Sequence, residues 1–167
     1  MNQPAETAEN QNAVPTESEY ELNLTRLVDQ CPDKLYRCWT EPELVVQWFT
    51  PAPWKTVACE NDLRVGGATR ITMKSPEGQQ FPNEGVFLAL EPGRRIVVTD
   101  AFVAGWKPSA KPFMVSEITF TPEGDKTRYT ARARHWTKED CDSHREMGFH
   151  SGWNKALDQL LEVAAKL

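Results

Sequence analysis

The sequence predicts an α+β protein, a curved antiparallel sheet of about six to seven short strands closed by a long C-terminal helix, with two short helices after the first strand. Three observations carry this. The stretch from Gly148 to Leu167 puts Phe149, Trp153, Ala156, Leu160 and Leu167 on one stripe at about 100° per residue, with Ser151, Lys155, Asp158, Glu162 and Lys166 opposite. The middle of the chain is a run of strand-length segments punctuated by Gly- and Pro-containing turns. Those links are too short for parallel crossovers, which need roughly a dozen residues each, so the strands must run antiparallel. A one-sided helix needs an apolar surface to cover, and the sheet provides it.

Residues 1–19 are rich in Asn, Gln, Glu, Pro and Thr and poor in large apolar groups, and are expected to form a disordered acidic tail. From Tyr20, Leu22 and Leu24 alternate with Glu21, Asn23 and Thr25, the pattern of a half-buried strand ending near Asp29. Pro32 opens a first short helix carrying Leu35, Tyr36 and Trp39. Thr40 reads as the N-cap of a second, with Glu43 in its first turn and Leu44, Val45, Trp48 and Phe49 as its apolar face. Thr50-Pro51-Ala52-Pro53 stops it. Strands are expected over Trp54–Glu60, Gly67–Lys74, Phe87–Glu91 and Arg95–Phe102, and a longer loop around Gly105-Trp106-Lys107-Pro108. Val115–Thr121 and Lys126–Trp136 should pair across Pro122-Glu123-Gly124-Asp125 as a hairpin. Thr137, followed by Asp140, caps a final helix running from about Thr137 to Leu167. Residues 20–167 thus read as a single domain.

Bulk properties narrow the function. The net charge is -5, and Glu6, Glu9, Glu17 and Glu19 supply four of those negatives, so the folded part is close to neutral. That balance carries no footprint for nucleic acid. Arg128, Arg132 and Arg134 alternate on one strand face and read as solvated surface. Cys31, Cys38, Cys59 and Cys141 lie far apart with no C-x-x-C pair, which suits reduced thiols in a cytoplasm. Neither a signal peptide nor a membrane span is visible.

Six tryptophans are a heavy aromatic load for 167 residues. Trp39 reads as core, whereas Trp48 beside the proline-broken loop, Trp106 in the long loop and Trp153 on the last helix can converge on a pocket. On a continuous final helix, Asp142 and Glu146 come round to the stripe of Phe149 and Trp153, where either the helix start projects past the sheet into water or the two carboxylates line the pocket mouth as ligand-binding candidates. Phe49, Phe113 and Met147 complete the candidate ligand-binding set. Cys141-x-x-His144 has ligand-like spacing, but no second close pair completes a zinc site, so neither a metal nor a cofactor is expected. His135, His144 and His150 read as hydrogen-bonded or solvent-facing. For acid-base chemistry the candidates are Glu146, His144 and a pocket tyrosine such as Tyr36. Gly66-Gly67 precedes no helix and reads as a turn or bulge, not a phosphate loop.

Several stretches in a fixed order carry a family resemblance: Leu22 to Asp29, Pro32, Trp39-Thr40-Glu41-Pro42-Glu43-Leu44 through Trp48-Phe49-Thr50-Pro51, and Val65-Gly66-Gly67. Further on come Gly85 to Glu91 with Pro92 to Ile96, Glu117 to Thr121, and Gly152-Trp153 with Leu157, Leu160 and Leu161. Over Tyr20 to Leu167 the chain resembles the family named after the activator of heat-shock protein 90 ATPase, of the START-like or SRPBCC superfamily, which is related to the polyketide cyclases. The resemblance implies a helix-grip fold with a deep apolar cavity between curved sheet and C-terminal helix. It implies three readings of function: a small hydrophobic or aromatic ligand in that cavity, a polyketide cyclase or lyase-type enzyme without cofactor, or a chaperone-activating interaction domain. The founding cochaperone has a separate N-terminal domain that a 19-residue tail cannot supply, so a chaperone partner is disfavoured. A homodimer is compatible with all three.

Overall fold

The computed structural model describes residues 20–167; the expected tail, residues 1–19, lies outside them. The strands are β1 (Glu21–Val28), β2 (Lys55–Asn61), β3 (Ala68–Lys74), β4 (Gln80–Glu91), β5 (Arg95–Thr99), β6 (Phe102–Val103), β7 (Lys107–Pro108), β8 (Met114–Glu123) and β9 (Lys126–His135). The helices are α1 (Pro32–Thr40), α2 (Pro42–Trp48), α3 (Lys138–Glu146) and α4 (Phe149–Ala164). Seven strands form one antiparallel sheet in the order β1-β9-β8-β5-β4-β3-β2. All links from β2 to β9 are short, as hairpins require, while α1 and α2 carry the chain from one edge strand, β1, to the other, β2. Bulges between Thr56 and Ala58 in β2 and between Phe87 and Ala89 in β4 bend the sheet.

Inward-facing side chains of β1, β8 and β9 meet the helices. Leu22, Leu24, Ile118, Phe120, Tyr129, Ala131 and Ala133 are buried with Leu35, Cys38, Phe149, Leu157 and Leu160. The outward face of the same strands is ionic: Arg134 binds Glu21 and Glu117, Arg95 binds Glu117, and Arg128 binds Glu123. With Arg132 also facing Glu21 at 3.7 Å, the three alternating arginines, Arg128, Arg132 and Arg134, are paired with neighbouring carboxylates on the outer face.

Three local expectations are corrected. Thr40 closes α1, its hydroxyl donating to Tyr36 O at 2.9 Å, and Glu41 is the residue before α2. Pro42 at the first helical position explains this, because a residue preceding proline is pushed out of the helical region, and Glu41 sits at φ -80°, ψ 116°. β4 begins at Gln80, not Phe87. Pro82 is tolerated because this half of β4 pairs only with β3, leaving its other side free of a ladder. The expected loop after β5 contains a small ribbon in which Phe102 pairs with Pro108 and Val103 with Lys107.

The expected continuous helix is two helices. Gly148 adopts φ 91°, ψ 41°, a left-handed conformation that interrupts the helical ladder between α3 and α4. This turn resets the rotation of α3 relative to α4, so the stripe drawn through Asp142, Glu146, Phe149 and Trp153 does not exist. Leu167, placed on that stripe, lies beyond the end of α4 and is exposed.

Candidate functional site

A pocket opens between the concave face of the sheet and the helices. Its volume is about 330 Å³. Trp39 and Trp48 come from α1 and α2, Met73, Met114 and Tyr129 from the sheet, and Phe149, Gly152, Trp153, Ala156 and Leu157 from α4, with His144 and Met147 at the α3–α4 turn. A second hollow of about 450 Å³ continues over β3, β4, β5 and β8, and shares Phe49, Met73, Met114 and Met147 with the first. None of the residues lining either hollow is Lys or Arg.

The aromatic wall is built by local structure. Trp39, Trp48 and Phe49 pack edge to face, with centroids 4.8 to 6.0 Å apart. Trp48 Nε1 donates to Cys38 O at 2.8 Å, so this indole is anchored without using the pocket. Gln159 of α4 ties the following loop down: its side-chain amide donates to Trp48 O and Thr50 O and accepts from Ala52 N. The loop and α4 therefore hold the pocket's rim together.

Polar side chains enter the first hollow at two places. Tyr129 is buried, and its hydroxyl oxygen accepts from Trp39 Nε1 at 3.2 Å; burial pushes its pKa well above the ordinary phenol value. His144 is 9% exposed and His135 is 2% exposed. His135 Nδ1 lies 3.0 Å from Tyr20 O, and His135 Nε2 lies 2.9 Å from His144 Nδ1. The His144 ring is ringed by Phe113, Phe149 and Trp153, with centroids 5.2 to 5.9 Å away. Burial, followed by the neighbouring His135 ring, lowers the His144 pKa to about 4, so the ring is neutral at neutral pH.

Of the residues singled out from sequence, Trp48, Phe49, Met147, Phe149 and Trp153 line the first hollow, and Phe113 lines the second. Met147 is 68% exposed and stands at the mouth. Trp106 lines neither hollow. It is half-exposed in the ribbon, packed edge to face against Phe102 and lying against Gly66, where an added Cβ would meet its ring at 2.7 Å. Asp142 is tied up by Lys138 and Arg145 on the outside of α3, and Glu146 is exposed and lines neither hollow. Tyr36 packs against Phe120 away from the lining. The pocket tyrosine is Tyr129, and the buried polar pair is His135 with His144, which the sequence showed only as two histidines nine residues apart.

A helix-gripped sheet with an aromatic hollow at its centre defines the class: a START-like domain, a scaffold suited to ligand binding in general. A family profile for Activator of Hsp90 ATPase homolog 1-like protein matches residues 29–165. Protein NE0264 from Nitrosomonas europaea shares 39% identity, with 90% of this chain and 97% of that chain covered and a TM-score of 0.87. Protein CV1439 from Chromobacterium violaceum is 24% identical over 86% of this chain and 96% of its own, TM-score 0.68. An AHSA1-like protein from Aeromonas hydrophila is 17% identical over 87% and 93%, TM-score 0.64. These last two are similar in fold. No curated protein matches significantly. The chain belongs to the Activator of Hsp90 ATPase homolog 1-like family. Among the described residues, no helix is long and apolar enough to cross a membrane.

Proposed function

We propose that this protein binds a small, largely apolar molecule, aromatic by preference, in the hollow between the sheet and α4. The observation that carries the reading is the hollow itself. Its volume of about 330 Å³ suits a small ligand, and Trp39, Trp48, Phe49, Phe149 and Trp153 give it an apolar wall with few polar groups. Aromatic rings on several sides favour a flat guest, which can meet their edges and faces.

An acid-base enzyme of the cyclase or lyase type would have to use His144 as its base. With its pKa drawn down to about 4, that ring carries no acidic imidazolium proton at neutral pH and is only a weak base. This favours binding over proton transfer. The chaperone-activating reading draws no support from the hollow, which faces inward.

Native mass spectrometry of the purified protein after incubation with an extract of apolar metabolites tests the proposal. One adduct per chain is expected. It should vanish in Gly152→Phe, because a Cβ at Gly152 has only Pro51 Cγ nearby, at 3.9 Å, and the new ring would occupy the hollow. Wild-type protein that acquires no adduct overturns the reading.

A further inference from the structure

We infer that the hollow is built for a neutral molecule carrying a hydroxyl or N–H donor, a phenol fitting best, received by Nε2 of His144. This rests on the binding reading above and names the chemistry of its ligand.

The inference follows from where each proton must sit. Tyr20 O is a carbonyl oxygen and can only accept, so His135 Nδ1, 3.0 Å away, carries a hydrogen and donates it. In a neutral imidazole the other nitrogen is then a bare acceptor. His135 Nε2 therefore takes its hydrogen bond from His144 Nδ1, at 2.9 Å. The same logic passes one ring further: with its hydrogen on Nδ1, His144 has a lone pair on Nε2. A doubly protonated His135 would break this chain of assignments, but it would bury an unpaired charge on a ring 2% exposed and packed against Phe113, which is costly.

His144 Nε2 has no partner among the described residues, yet it is not sealed. The sealed side-chain atoms without a hydrogen bond there are Glu91 Oε2 and Ser109 Oγ. His144 lines the hollow, and its Nδ1 is turned to His135, so the edge left to the hollow carries Nε2. A backbone carbonyl thus fixes, through two rings, an acceptor in a largely apolar wall whose other polar group is the Tyr129 hydroxyl. Such an acceptor rewards a donor and penalises a guest that cannot supply one. It also disfavours a carboxylate, which would bring lone pairs against a lone pair with no cationic side chain in the lining.

Three guests of one shape test this: naphthol, methoxynaphthalene and naphthoate, titrated near neutral pH while following tryptophan fluorescence. Naphthol should bind about tenfold more tightly than methoxynaphthalene, the value of one well-made hydrogen bond against an unmet acceptor. Naphthoate should bind more weakly still. In His144→Phe the preference for naphthol over methoxynaphthalene should disappear, because the acceptor that distinguishes them is gone. Long-range proton–nitrogen spectra of the wild type supply a reading independent of that variant's folding: His144 should be the Nδ1–H form, and its Nε2 signal should move with naphthol and not with methoxynaphthalene. Equal affinity for naphthol and methoxynaphthalene, or a free-protein His144 with hydrogen on Nε2, overturns the inference and leaves the binding reading standing. If none of the three binds, both fall.

Discussion

Acidification should loosen this fold through His144 before it touches the carboxylates. In the folded chain the His144 pKa is lowered to about 4 by burial and by His135, against 6.5 for the unperturbed ring. The unfolded chain therefore binds more protons than the folded one between those values, and stability must fall as pH falls through that window. In full the shift corresponds to about 3 kcal/mol, with about 2 kcal/mol already lost by pH ~4.5. The acidic groups act lower. Burial pushes Glu117 up, but the hydrogen bond from Arg95 and the charge of Arg134 outweigh it and hold the carboxyl below its usual range. Hydrogen bonds from Lys138 and Arg145 do the same for Asp142, on the outer face of α3. Urea unfolding at closely spaced pH values reads the slope directly. His144→Gln is the control, since its side-chain amide still offers His135 a donor but cannot titrate in this range. The wild type should lose about 2 kcal/mol between neutral pH and pH ~4.5, and the variant should be nearly flat there. A flat wild-type profile, or the same slope in both proteins, would refute the reasoning.

The two glycines flanking the start of α4 should respond in opposite directions. Gly148→Ala forces a side chain into a left-handed conformation at φ 91° and should cost about 1–2 kcal/mol, whereas Gly152→Ala, in a helix interior with room around it, should gain roughly 0.5–1 kcal/mol in thermal or urea unfolding. Gly85→Ala should be among the most damaging single changes, about 2 kcal/mol or more, because its Cβ would lie 2.4 Å from the backbone oxygen of Thr99. Met147→Ser should leave stability within about 0.5 kcal/mol, Met147 being 68% exposed, yet weaken naphthol binding several-fold if it closes the mouth. Glu146→Ala should change neither, since Glu146 is exposed and lines neither hollow.

Sequence periodicity carried the elements that obey a single local rule. The alternation of Leu22 and Leu24 placed β1, Pro32 placed the start of α1, and Pro122-Glu123-Gly124-Asp125 placed the β8–β9 hairpin. It failed where a tertiary choice overrides the pattern. A helical wheel assumes one unbroken helix, and one left-handed residue at Gly148 was enough to move Asp142 and Glu146 out of the hollow. The strand expected from Phe87 starts at Gln80, because its first half, with Pro82, sits where only one neighbour pairs with it. The aromatic lining was legible in part, since Trp48, Phe49, Phe149 and Trp153 are large, apolar and close to breaks in secondary structure. The histidine relay was not, because its partners belong to a strand end, a helix and the backbone of Tyr20, and no spacing rule links residues 20, 135 and 144. Tyr129 has the same history: its hydroxyl meets Trp39 across 90 residues of chain.

The pairing of β1 with β9 has a consequence for biosynthesis. β2 through β8 add by neighbouring hairpins and can zip up as they emerge, but Glu21 must wait for Arg134, 113 residues later, before the first strand has a neighbour. Through most of translation β1 is an orphan segment, and β8 remains an open edge until β9 arrives. Closing so long a loop makes this the slow, late step of folding. A ribosome stalled before Lys126 would therefore hold a chain with two sticky edges, so nascent-chain aggregation should fall sharply once residues 126–135 have cleared the exit tunnel.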